Sequence, residues 1–249
     1  MSDQGMGKSV LRKEDHRFIT GQGTYTDDIK QPNQLYAYFL RSPVAHAILK
    51  SISTTKAEGS DGVVAVYTGK DTDAALPCGW ETPTKEGTPP MAEPPWPIFA
   101  QEKIRFVGEL LAIVIAESIN QAKDACELIE YDYDELEAVV SPLKAQQDGA
   151  PQIWEDIANN QCFDWELGDK EATEKAFGEA KHHVKIELTN NRLVPNAMEP
   201  RSYIGMYDKG KDQYTLYTTT QLPHIIRMLV CGVLGLEEQK VRVISLDVG

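Results

Sequence analysis

Half of the chain's fourteen prolines fall between residues 71 and 97. Proline fixes φ and removes a backbone donor, so neither a central strand nor a long helix can cross that stretch. The fold must therefore be assembled from what precedes and follows it. A connection of this length without structure of its own reads as a functional loop or an interface arm.

Before the proline stretch, three runs have strand character: Leu35 to Leu40, Ala47 to Ile52, and the β-branched run Val63 to Tyr67. Pro43 marks a bend between the first two, and Ser60-Asp61-Gly62 marks a turn before the third. After it, Ile104 to Ala116 reads as strand broken at Gly108 and Glu109. Ser118 then caps a helix whose apolar face is Ala122, Ala125, Cys126 and Ile129. Tyr131 to Val140 resumes extended structure. This order predicts a compact α+β unit of about 120 residues.

Pro142 to Asp164 reads as an irregular linker. Beyond it, Glu171 to Ala180 has the spacing of a short amphipathic helix, and Val184 to Leu188 alternates like a strand. Ser202 to Tyr207 and Gln213 to Thr219 flank the polar, glycine-bearing turn Asp208 to Asp212, which predicts a hairpin. Leu222 to Leu234 reads as a helix with Pro223 in its first turn and Gly235 as its stop. Val241 to Val248 is a last strand. It ends on Gly249 with nothing to close over it, so a truncated chain is expected.

Composition narrows the function classes. A hydrophobic fraction of 41% suits a packed globular protein. No apolar run approaches the ~18 residues of a membrane span, and residues 1 to 10 lack the apolar core of a signal peptide, so a cytoplasmic location is expected. A net charge of −13 disfavours nucleic acid. Cys78, Cys126, Cys162 and Cys231 lack zinc-ribbon or ferredoxin spacing; Cys126 and Cys231 read as small buried thiols on helix faces. Gly7-Lys8-Ser9 is no phosphate loop, because Ser2 stands where the first glycine is needed and no strand can precede it. Gly21-Gln22-Gly23 is a turn signal without the third glycine or the preceding strand of a dinucleotide site.

Six segments, in order, resemble the large subunits of the xanthine dehydrogenase, aldehyde oxidase and carbon monoxide dehydrogenase family of molybdenum hydroxylases. They are Arg12 to Asp28, Arg41-Ser-Pro-Val-Ala-His-Ala47, Arg105-Phe-Val-Gly-Glu109, Met198-Glu-Pro-Arg201, Thr220-Gln-Leu-Pro-His224, and Val241 to Gly249. Each motif is weak alone; six in sequence are specific, and the likeness covers residues 10 to 249.

The resemblance implies an α+β architecture: a flexible N-terminus (1–14), an α/β-hammerhead domain (15–134), and the first part of a molybdopterin-binding domain (135–249). The family's next motif, Gly-Gly-Phe-Gly, would begin at Gly249, so no catalytic residue is expected in this chain. Gln221 matches the glutamine whose amide reaches an oxygen ligand of molybdenum, and Gly249 the start of the cofactor-binding turn. An amide can donate to an oxo group without adding charge; read without the family, Gln221 is a strand-end residue feeding a helix start.

The resemblance further implies a molybdenum–molybdopterin cofactor in its cytosine dinucleotide form. An iron–sulfur small subunit with [2Fe-2S] clusters and an FAD-binding medium subunit would be partners, in a dimer of heterotrimers. The reaction would hydroxylate an aldehyde or N-heterocycle, or oxidise carbon monoxide, with water as oxygen source. A non-catalytic hammerhead interaction module and an unrelated α+β binding domain stand as the alternatives.

Other polar residues carry milder expectations. Glu199 and Arg201 read as a surface pair or as residues lining the site. His224 reads as a helix-start residue, and His46, His182 and His183 as structural or solvated. Arg12, Asp15, Arg17, Asp27 and Asp28 read as a solvated charged face. Asp132, Asp134, Glu135 and Glu137 read as an exposed acidic strand edge.

Overall fold

The computed structural model describes residues 5–7, 9–76, 82–83, 87, 89–191 and 193–249. Lys8, Cys78 and the middle of the proline stretch lie outside the described residues. In chain order the helices are α1 (Asp15–Ile19), α2 (Thr55–Glu58), α3 (Ile119–Glu127), α4 (Pro142–Ala145), α5 (Lys170–Glu179) and α6 (Pro223–Leu234). The strands are β1 (Tyr36–Arg41), β2 (Ala47–Ser53), β3 (Val63–Thr68), β4 (Ala75–Leu76), β5 (Trp96–Pro97), β6 (Lys103–Ile104), β7 (Leu110–Ala116), β8 (Glu130–Glu135), β9 (Tyr203–Asp208), β10 (Gln213–Thr218) and β11 (Val241–Ile244). This mixture of helix and strand is the α+β class expected.

The chain forms two compact units, residues 33–190 and the combination of 1–32 with 191–249. The sequence suggests divisions at 14/15 and 134/135; side chains in 15–28 also bond to residues near 200 and 247, which brings the two ends of the chain into one unit.

In the 33–190 unit, β7 runs antiparallel between β1 and β3. Its alternation explains its place: Ala112, Val114 and Ala116 are fully buried with the α3 residues Ala122, Ala125 and Cys126, while Leu111 is buried with Ala47, Leu49 and Ile104. The expected Ile104 to Ala116 strand is therefore two strands in two sheets. Gly108, at φ +88°, makes the break between them. The second sheet has the order β6–β2–β8, with the acidic β8 exposed at its edge, and Lys50 reaches Asp134 at 2.5 Å. Ser118 caps α3 as expected, its Oγ accepting from Gln121 N–H. The described ends of the proline stretch close on each other through the short β4–β5 pair.

Three expectations need correction. Residues 142–164 are not wholly irregular: Ser141 caps α4, and Ala158–Asn160 forms a 3-10 turn. The helix at 170–179 forms, capped by Asp169, but buries none of its residues. Val184 to Leu188 is not a strand. Its alternation is real, yet Val184, Ile186 and Leu188 are 83%, 71% and 84% exposed, and no strand pairs with it among the described residues. Without a ladder partner, alternation alone does not make a strand.

In the unit formed by the two ends, the sheet order is β11–β10–β9. The predicted hairpin forms in the register Tyr203↔Thr218 to Asp208↔Gln213. Asp208 Oδ1 accepts from the N–H groups of Gly210 and Lys211 and shapes the turn. Helix α6 then carries the chain back so that β11 pairs parallel to β10. Pro223 opens α6 and left-handed Gly235 (φ +64°) closes it.

Candidate functional site

Because β10 and β11 are parallel and β9 is antiparallel, the exits of β10 and β11 and the entrance of β9 share one end of the sheet. The loops beyond the carboxyl ends of parallel strands are where α/β units gather ligand-binding groups. Four of the segments singled out in the sequence meet here.

Glu199, just before β9, accepts from Thr219 Oγ1 at 3.2 Å and from the Gly249 N–H at 2.5 Å. Thr219 N–H donates to Ser202 O at 3.2 Å. Thr220 Oγ1 accepts from Leu222 N–H at 3.0 Å, and Thr220 O accepts from Ser245 Oγ at 2.6 Å. Gln221 lies between these two fixed points, exposed, at the start of α6. Gly249 is tight against Glu199: a Cβ built on it would lie 2.6 Å from the Glu199 Cβ. Of the two readings of Glu199 and Arg201, the ion pair is not found among the described residues; Glu199 joins strand ends, and Arg201 is exposed.

The N-terminal segment crosses the same end. Arg17 on α1 donates both terminal nitrogens to the Asp247 carboxylate, the Nη2–Oδ1 bond being 2.6 Å. Thr24 N–H also donates to Asp247 Oδ2 at 2.8 Å, and Asp247 N–H donates to Thr24 O at 3.2 Å. Ser202 Oγ donates to Asp27 Oδ1 at 3.1 Å. The Arg17 hydrogen bonds, helped by the Thr24 N–H, hold the Asp247 carboxyl down to about 2, well below the usual carboxylate range. Arg17 is held above its ordinary range by the same pair. The opening charges are thus only partly a solvated face. Arg12 and Asp15 pair locally in solvent, whereas Arg17 and Asp27 serve this sheet end. Asp247 and Ser245 stood inside a quoted motif without a role; only their partners, Arg17 and Thr220, reveal one.

The remaining candidates lie elsewhere or do other work. His46 is buried with its Nδ1 2.7 Å from Glu137 O, a structural contact. His182 and His183 are exposed, and His183 contacts its neighbours Ala180 O and the Phe177 ring. His224 is exposed on the first turn of α6. Cys126 and Cys231 are buried thiols, and burial pushes Cys126 up to about 11. The Arg41–Ala47 and Arg105–Glu109 motifs interlock: Ser42 N–H donates to Glu109 O, Gly108 N–H to Ser42 O, and Arg41 Nη1 to Gly108 O. Burial raises the Glu109 carboxyl and lowers Arg105, whose guanidinium lies 3.8 Å from the centre of the Trp154 ring. That pair of motifs ties two loops together through backbone bonds. Among the described residues, no group of three or more His, Cys, Asp and Glu is arranged to hold a metal, and no helix is long and apolar enough to cross a membrane.

The donor set at the sheet end fits a group that brings its own metal ligands. It offers a neutral exposed amide at Gln221 and the close-packed glycine backbone at Gly249, with a carboxylate engaged in holding strand ends rather than facing an ion.

Known proteins are similar to this chain in sequence and fold. Residues 20–137 match the aldehyde oxidase and xanthine dehydrogenase a/b hammerhead domain, and residues 153–249 match the molybdopterin cofactor-binding domain. The chain is 38% identical to the carbon monoxide dehydrogenase large chain of Afipia carboxidovorans over 99% of its own length and 31% of that protein's. It is 35% identical to the nicotine 6-hydroxylase large subunit of Paenarthrobacter nicotinovorans, over 98% of its length and 29% of that subunit's. The chain thus spans about 30% of the length of the curated relatives it matches. The crystal structure of the Cu,Mo-CO dehydrogenase superposes with a TM-score of 0.86 at 38% identity, covering 99% of this chain and 31% of that one. Quinoline 2-oxidoreductase from Pseudomonas putida 86 gives 0.85 at 32% identity, covering 98% and 30%. The chain belongs to the molybdenum hydroxylase large subunits of the xanthine dehydrogenase type, and carries sequence of both their hammerhead and their molybdopterin cofactor-binding domains.

Proposed function

We propose that this chain supplies one wall of a molybdopterin site in an oxidoreductase that hydroxylates an aldehyde or N-heterocycle, or oxidises carbon monoxide, with water as the oxygen source. The observation that carries the proposal is the junction of the β10 and β11 exits, where Glu199, Thr220 and Ser245 fix the backbone on either side of an exposed Gln221. A bound molybdenum–pterin group, in its cytosine dinucleotide form, would supply the two-electron chemistry. Gln221 would donate its amide N–H groups to an oxygen ligand of the metal, and Gly249 would let the backbone approach the cofactor. The partners would be a small subunit with [2Fe-2S] clusters and an FAD-binding medium subunit, assembled as a dimer of heterotrimers in the cytoplasm. The carbon monoxide dehydrogenase and nicotine hydroxylase relatives support the substrate classes.

The test is metal and pterin analysis of the native protein. Molybdenum and pterin in equal, near-stoichiometric amounts are expected, with Gln221→Ala retaining the pterin but altering the Mo(V) paramagnetic resonance spectrum. A native protein lacking both would instead favour a hammerhead module that acts only by binding other proteins.

A further inference from the structure

We infer that Arg17 is a positioning residue for the molybdopterin site, acting through Asp247 to hold residues 245–249 in place beside the Gln221 loop. The inference rests on the reading of that sheet end as the cofactor site. Strand β11 stops at Ile244, so no ladder holds the five residues that follow. Three alternate positions hold them instead, each on a different part of the chain. Ser245 bonds the Thr220 carbonyl, Asp247 bonds Arg17 and Thr24, and Gly249 bonds Glu199. The middle anchor is the strongest in kind: a two-pronged guanidinium–carboxylate fork flanked by two backbone bonds.

Arg17 is itself held. Its carbonyl accepts from Gln22 N–H at 2.9 Å and from Thr20 Oγ1 at 3.2 Å, and its guanidinium lies 4.7 Å from the centre of the Phe18 ring. Gly23 packs where a Cβ would come within 3.1 Å of Tyr25 and 3.3 Å of Phe18, so this turn has little slack. The Arg17 side chain is 38% exposed and that of Asp247 14%, so solvent screens part of what the pair adds to stability. Its geometric effect is larger, because a planar fork fixes both the distance and the angle of the carboxylate it grips. A lysine in its place would keep the charge and lose the second bond.

The test uses the native, full-length protein with its partner subunits, as wild type, Arg17→Lys and Asp247→Asn. Three quantities are read: loss of pterin on dilution, the Mo(V) paramagnetic resonance spectrum, and the midpoint of thermal unfolding. Both variants are expected to lose pterin about tenfold faster and to show a changed Mo(V) spectrum, beyond what any lowering of the unfolding midpoint accounts for. Variants that keep the wild-type pterin retention and spectrum overturn the inference and leave the site reading intact. So does pterin loss that only tracks a lowered unfolding midpoint in both variants, since a purely structural pair would give that result. A wild-type protein without molybdenum and pterin removes the site reading, and the inference with it.

Discussion

Asp247 has an ordinary carboxyl value of 3.8 and is held in the fold at about 2. A depressed value means that the folded state favours the charged form. The stabilisation is present above the ordinary value and is lost as pH falls through about 2. Carboxyl-carbon NMR should therefore show one aspartate titrating near 2, and Arg17→Ala should move it back toward 3.8. Glu109 behaves in the opposite sense. Burial raises it, so its contribution is present at acid pH and fades as pH rises through the raised value. Glu109→Gln can still accept from the Arg105 N–H, and it should flatten that dependence in urea titrations compared at pH 4 and pH 7. Gln221 could be singled out as a candidate at this scale because Thr-Gln-x-Pro-His is a local string. The Arg17–Asp247 pair could not, since its partners lie 230 residues apart and either charge alone reads as solvated surface.

Elements whose apolar period met a partner formed where the sequence placed them. Helix α3 has its cap, its small-residue face and a sheet to cover, and Ser118→Ala should cost about 1 kcal/mol in a urea titration. Strand β7 is buried on both faces, and Leu111→Ala at a fully buried position should cost about 2–5 kcal/mol. A loss under ~1 kcal/mol would mean that the two sheets repack easily around the gap. Residues 184–188 show the limit of periodicity. Hydropathy alternation states which side of a strand would be buried; it does not supply the neighbouring strand. The parallel pairing of β10 with β11 was equally hidden, since a helix between two strands permits several placements and only the pairing register selects one.

The whole molecule divides differently from the linear order of its motifs. Periodicity and turn residues follow the chain, whereas the unit carrying the candidate site is closed by bonds between residues 17–27 and 202–247. This division predicts uneven local stability. Amide hydrogen exchange on the purified 249-residue chain should be slowest in β7 and near the unprotected rate at 184–188, where the backbone has no ladder. Protection of 184–188 comparable to β7 would show that those residues find a partner strand in solution.

The strap formed by residues 15–28 also bears on biosynthesis. It leaves the ribosome 175 to 230 residues ahead of its bonding partners at 202 and 247. The intervening 33–190 unit can collapse on its own contacts during translation, while the strap must wait, unsatisfied, until residues 202 and 247 emerge. Closing so long a loop is slow, so this sheet end would take its final form only after β11 has emerged.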